Sequence, residues 1–135
     1  MVTIRLLILN SRDKILVKKT EQGLEIPQAE CMFVEGCSSI EDIIFVKLSS
    51  EFGITDIHPK DLRLYYFSNK IDNNCLCVDF VYKGQTRIKK LDHESYKFME
   101  LREIKKAVTL FKDKLDEHVI RRFIIREDNP NLLCD

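Results

Sequence analysis

Residues 31–54 read CMFVEGCSSIEDIIFVKLSSEFGI. Ser38 or Ser39 offers an N-cap hydroxyl, Glu41 and Asp42 put negative charge in the first turn where the helix dipole favours it, and Gly53 supplies a left-handed terminator. One helix is expected between them. At about 100° per residue, Ile40, Ile44 and Leu48 make its buried stripe and Glu51 falls within roughly 20° of Ile44. A carboxylate so close to an apolar face needs a cation, a hydrogen bond or an ion partner. Lys47 stands one turn earlier, at i and i+4, where the two side chains can meet.

Outward from this helix the pattern turns to strands. VTIRLLILN and ILVKK, separated by the turn-forming NSRDK, read as a hairpin. A short extended piece, TEQGLEIP, follows, and ECMFV can form another strand before Gly36. Beyond the helix, DLRLYYFS and CLCVDFVYKG read as two strands of a meander, with RIKKL as a possible third. DHESYKFMEL is a loop entering a strand, and REIKKAV is a short helix. KDKLDEHVIRRFIIRE is a longer one, with Leu115, Val119, Ile120 and Phe123 on one apolar stripe. That order predicts an α+β fold, a mixed sheet with the central and C-terminal helices packed on its faces. A single domain over 1–127 and a frayed tail over 128–135, where Pro130 blocks helix continuation, complete the expected organisation.

With 22 basic and 22 acidic residues, the chain has no global positive field to draw in nucleic acid or an anionic membrane surface. The longest apolar runs, LLIL and IIFV, are far below the roughly 18 residues of a membrane span, and the start lacks a signal-like pattern. A cytoplasmic location is therefore expected. The five cysteines form no paired CxxC units, so reduced thiols are expected, and Cys75 and Cys77 should be small buried residues on one face of a strand.

LEIP, VEG, SEFGI, DHESYKFMEL and VIRRFI, in that order, resemble the Nudix family across nearly the whole chain. The resemblance implies an α/β/α sandwich and hydrolysis of a diphosphate linked to another moiety. In the family, glutamates on the box helix hold Mg²⁺ or Mn²⁺, which neutralises phosphate oxygens and activates water. Counting back from Gly53, the box's Arg-Glu pair falls on Val46 and Lys47, and its Glu-Glu pair on Ser50 and Glu51. The early Glu falls on Cys37 or Ser38, and the Gly-Gly turn on Gln28-Ala29. Glu51 is thus the one carboxylate retained, and Glu94 in the DHE loop is the candidate for an additional catalytic or metal-binding acid, with Glu30 and Glu35 as other loop acids. His93, beside Glu94, is a candidate for proton transfer. Two readings of Lys47 stand side by side: its ammonium replaces the positive charge of a metal, or it forms an ordinary surface ion pair worth a few tenths of a kcal/mol.

The resemblance with these departures implies a degenerate box. The expected function is binding of a nucleoside-diphosphate-like molecule or a protein partner, with little or no metal-dependent hydrolysis and no cofactor. The alternative is a divergent hydrolase working through Glu51 and loop carboxylates with Mg²⁺ or Mn²⁺. A third reading is an interaction module that forms a homodimer; aromatics in LYYF and FVY could face a base or a partner, or simply fill the core.

Overall fold

The computed structural model describes residues 2–30 and 36–129. Strand β1 (Val2–Asn10) lies at the centre, and its alternation decides the architecture. Ile4, Leu6 and Ile8 enter one core with Ile44, Leu48 and Phe52 of helix α1 (Ile40–Phe52), while Leu7 and Leu9 enter a second core with Val119, Ile120 and Phe123 of helix α3 (Lys114–Asp128). A strand covered on both faces reads as a continuous apolar run rather than an alternating one, which explains LLIL.

Strands β2 (Ile15–Thr20), β3 (Gly23–Glu25), β4 (Gln28–Glu30), β5 (Arg63–Asp72), β6 (Cys75–Thr86) and β7 (Tyr96–Met99) complete a seven-stranded sheet among the described residues. The order is β3-β2-β1-β6-β5, with β4 on β1 and β7 on β2. β1 and β6 are parallel and the other pairs antiparallel, so the sheet is mixed and helix-covered, as expected from sequence. The short helix α2 (Leu101–Ala107) leads from β7 toward α3.

The hairpin turn between β1 and β2 is organised by Asn10, which is fully buried. Its carboxamide oxygen accepts from the Arg12 and Lys14 amides, and Asp13 takes a left-handed φ of 57°. Gly23 is demanded by a close approach: a Cβ there would lie 2.1 Å from the Leu110 carbonyl oxygen. Between the two serines offered as caps, Ser39 is the N-cap, accepting from the Asp42 amide, while Asp42 accepts from the amide and hydroxyl of Ser38.

Three expectations need correction or fall outside the description. RIKKL forms no strand: β6 ends at Thr86, whose hydroxyl donates to Asp56 and accepts from the Ile88 amide, turning the chain out of the sheet. Cys75 is exposed and Cys77 half-exposed, because the tip of the β5–β6 hairpin extends beyond the helices. The strand read in ECMFV lies largely outside the described residues, although Gln28–Glu30 do pair with β1.

One charged residue of β1 points where a leucine would fit. Arg5 is buried, and its Nε donates to Asp116 Oδ1 at 2.6 Å, Nη1 to Asp79 at 2.7 Å and Nη2 to Asp113 at 3.1 Å. Asp116, fully buried, also accepts from the Ile26 amide at 3.0 Å. Burial pushes its carboxyl up to about 6, outweighing the Ile26 amide and the Arg5 guanidinium that favour the charged form. Breaking a buried pair costs about 3–5 kcal/mol where the remaining charge is left alone. Arg5 keeps Asp79 and Asp113, so the Ile26 amide is the group left without its acceptor and the cost falls to the lower end of that range. Asp116→Ala should therefore lower the unfolding free energy by about 3 kcal/mol in urea denaturation at pH 7.

Asp56 gives a pH dependence. Burial opposes its ionisation, but the Thr86 hydroxyl at 2.6 Å and the Arg87 amide at 2.7 Å more than offset this and hold it below the ordinary carboxylate value of 3.8. A depressed folded-state value means stability that is present above 3.8 and lost as pH falls through the lower folded value. Asp56→Asn should flatten the acid arm of the thermal stability profile below about pH 4, and an unchanged arm would refute the assignment.

Candidate functional site

The cleft flanked by α1, β2, β3, β4 and β7 has a volume of about 440 Å³ and is lined by Lys18, Glu25, Ile26, Gln28, Lys47 and Tyr96. Lys18 comes from β2, and its ammonium lies 5.7 Å from the centre of the Tyr96 ring, over its face. Glu25 is engaged by Lys112 at 2.9 Å. Gln28 and Ala29, where the resemblance implied a Gly-Gly turn, are instead strand residues paired with Arg5 and Ile4.

Lys47 Nζ lies 2.5 Å from Glu51 Oε2, which confirms the i, i+4 contact. The pair is less buried than the helical angles suggested, with side chains 24% and 35% exposed, because Glu51 sits in the last turn of α1 where the chain leaves the core. That exposure is the setting in which ion pairs contribute little to stability, while the Lys47 side chain itself lines the cleft. Tyr96, at the cleft wall, is pushed up by burial and then by Glu51 and Glu25.

Each acid on α1 has a partner of its own. Glu41 lies beside the Tyr82 hydroxyl, which burial and that carboxylate both push up. Asp42 is consumed by the N-cap, where the Ser38 amide and hydroxyl hold it below the ordinary value. Glu51 faces Lys47. Val46 and Ser50 are exposed on the same helix. Among the described residues no group of three or more His, Cys, Asp or Glu side chains converges as a metal site would require.

A divalent ion such as Mg²⁺ wants several anionic oxygens together. Among the described residues the donor set fits it poorly, since Lys18 and Lys47 line the cleft and the carboxylates Glu25 and Glu51 are each paired with a lysine.

Glu94 and His93 lie elsewhere, on the segment between β6 and β7, where both are exposed and line a second pocket. His93 Nδ1 accepts from the Ser95 amide, and its ring packs against Phe52 and Tyr96. Among the described residues no hydrogen bond or ion pair joins Glu94 to Glu51, and the two pockets share only Tyr96 as a wall. Glu35 lies outside the described residues, and Glu30 ends β4. Sequence reasoning missed Lys18 and Tyr96. Their signal was the alternation of β2 and β7, which puts Leu16, Lys18, Tyr96 and Phe98 on the α1 side, but it becomes readable only once the pairing register is known.

A double-mutant cycle on Lys47→Ala and Glu51→Ala should give a coupling energy of about 0.3–0.5 kcal/mol, as for exposed i, i+4 pairs. A coupling several times larger would show a desolvated pair.

No family model and no curated protein matches the sequence. Solved structures do match in shape. The MutT protein of Methanosarcina mazei Go1 superposes with a TM-score of 0.65 at 17% identity, covering 96% of this chain and 95% of that one. The NUDIX domain of Shewanella oneidensis NrtR, solved with ADP-ribose, gives 0.65 at 15% identity over 94% and 88%. A NUDIX hydrolase from Nitrosomonas europaea gives 0.56 at 19% identity over 90% and 86%. The element order, the mixed sheet between helices and these superpositions together show that the chain has the Nudix fold.

Proposed function

We propose that this Nudix-fold domain binds a nucleotide-like anion in the cleft between α1 and β7 and does not hydrolyse it through a metal. The observation that carries the reading is the Lys47 ammonium lining the cleft, 2.5 Å from the single box carboxylate that survives, Glu51. A fixed ammonium attracts phosphate oxygens as a metal ion does, yet it cannot hold a water and lower its pKa, which is the step that makes a nucleophile. Lys18 supplies a second cation, which lies over the Tyr96 ring and has Glu25 as its cross-strand neighbour. The ring itself is buried at the wall and can pack against an apolar moiety. That the NrtR NUDIX domain was solved with ADP-ribose supports a ligand of the nucleoside diphosphate class.

The test is chromatographic. The protein is incubated with nucleoside triphosphates, nucleotide sugars, dinucleoside polyphosphates and ADP-ribose in Mg²⁺ or Mn²⁺, beside Glu51→Gln. No product is expected from either protein, while at least one compound should raise the melting temperature without added metal. Turnover that vanishes in Glu51→Gln would overturn this reading and favour a divergent hydrolase using Glu51 and Glu94. Stabilisation by no compound, with association that depends on protein concentration, would point to an interaction module instead.

A further inference from the structure

Two thiols stand at the tip of the β5–β6 hairpin, outside both pockets walled by Tyr96. Asn73 and Asn74 form the two-residue turn of that hairpin, with left-handed φ of 50° and 62°, the pair of values that a type I′ turn requires. From this turn the ladder runs in register: Asp72 stands opposite Cys75, Ile71 opposite Leu76 and Lys70 opposite Cys77. Side chains alternate along a strand, so Cys75 and Cys77, on either side of Leu76, share one face. That face is the α3 side of the sheet, where Cys77 lines an open cavity of about 520 Å³ together with Arg5, Asp79 and Leu115.

Core packing does not explain the pair, since Cys75 is exposed and Cys77 half-exposed. A direct disulfide fits poorly. Two residues of extended strand separate their Cα atoms by about 6.6–6.8 Å, which is the upper limit at which a disulfide closes. Shortening that span would buckle β6 beside its tight turn. An atom held between the two sulfurs supplies the missing length through two further bonds and leaves the ladder intact. Cys77 Sγ lies 4.0 Å from the Cys75 carbonyl oxygen, so its thiol already leans back toward residue 75. The exposed Cys75 side chain can rotate about χ1 to meet it.

The donor count then selects the metal. Zinc takes four ligands and magnesium an octahedron of oxygens, whereas among the described residues no third His, Cys, Asp or Glu converges with these thiols. Two soft thiolates suit monovalent copper. Asp72, opposite Cys75, is a hard donor that adds little to a soft ion. Lys70, opposite Cys77 and lining the same cavity, offsets the negative charge that two thiolates leave around one monovalent cation.

We propose that Cys75 and Cys77 form a two-sulfur site for a soft monovalent cation, Cu(I). The site is independent of the function proposed for the α1 cleft, which opens on the other face of the sheet.

The experiment is anaerobic titration of the full chain with Cu(I) in competition with bicinchoninate, followed by X-ray absorption of the loaded protein. One equivalent of copper should pass to the protein, and the spectrum should show two sulfur neighbours. Cys75→Ser and Cys77→Ser should each weaken binding about a hundredfold, the loss expected when a chelating pair becomes a single donor. Both positions lie at the hairpin tip, so the variants should melt at the temperature of the unaltered chain. Replacing Cys31, Cys37 and Cys134 together by Ser should leave copper affinity unchanged. Four results would overturn the proposal: no copper taken from the competitor, a loss below tenfold in either single variant, loss of the site in the triple variant, or three or more ligand atoms in the absorption spectrum.

Discussion

The fold turns on one buried guanidinium. Arg5 sits mid-strand in the central β1 and gathers Asp79 from β6, Asp113 at the start of α3 and Asp116 one turn into it. Asp116 then reaches the Ile26 amide beyond β3. Strand, neighbouring strand, turn and terminal helix are thus fixed by directional contacts that apolar packing alone would not specify. A buried ion pair contributes little net stability against an apolar substitute of equal volume, since desolvation offsets attraction, but losing one partner is costly. The value of Arg5 lies in position: it sets where α3 begins, because Asp113 is both its partner and the N-cap of that helix, accepting from the Leu115 amide at 2.8 Å.

With α3 holding one face, α1 is free to serve the other. Its buried stripe, Ile44, Leu48 and Phe52, is satisfied by Ile4, Leu6, Ile8 and Tyr96, so its polar edge faces the cleft. That edge carries the Lys47–Glu51 pair. A site that holds a divalent ion must leave carboxylates uncompensated until the ion arrives. Here each carboxylate on α1 already has a donor from the protein itself, and no such deficit remains.

Much of this was legible in the residues. Serine, two acids and glycine at the proper intervals bounded α1, the apolar run of β1 signalled a strand covered on both sides, and Leu115, Val119, Ile120 and Phe123 gave α3 its face. The i, i+4 spacing of Lys47 and Glu51 gave their contact, but angular position alone overstated their burial, because it carries no information on where a helix end leaves the core. Cys75 and Cys77 were misjudged for the same reason: a strand pattern tells which face a residue takes, and not whether anything covers that face. The second pocket was invisible because its cations, Arg12, Lys14, Lys19, Lys89, Lys90 and Lys97, come from four segments whose proximity depends on the contacts of Asn10 and on β2–β7 pairing. Zero net charge concealed it further, since a sum over the chain erases a local excess.

The cleft beside α1 has its own electrostatic logic. A Nudix fold that uses metal lets a mobile cation bridge acidic side chains and acidic substrate, and the water on that cation becomes the nucleophile. On the reading proposed here the cation is covalently part of the chain. Lysines at the cleft can neutralise phosphate without a dissociable ion, but their nitrogens carry protons where a metal would carry water. Such a site gains constancy of binding and loses the means to cleave. On that reading a single feature, a lysine one turn before Glu51, accounts both for attraction toward diphosphates and for failure to cleave them.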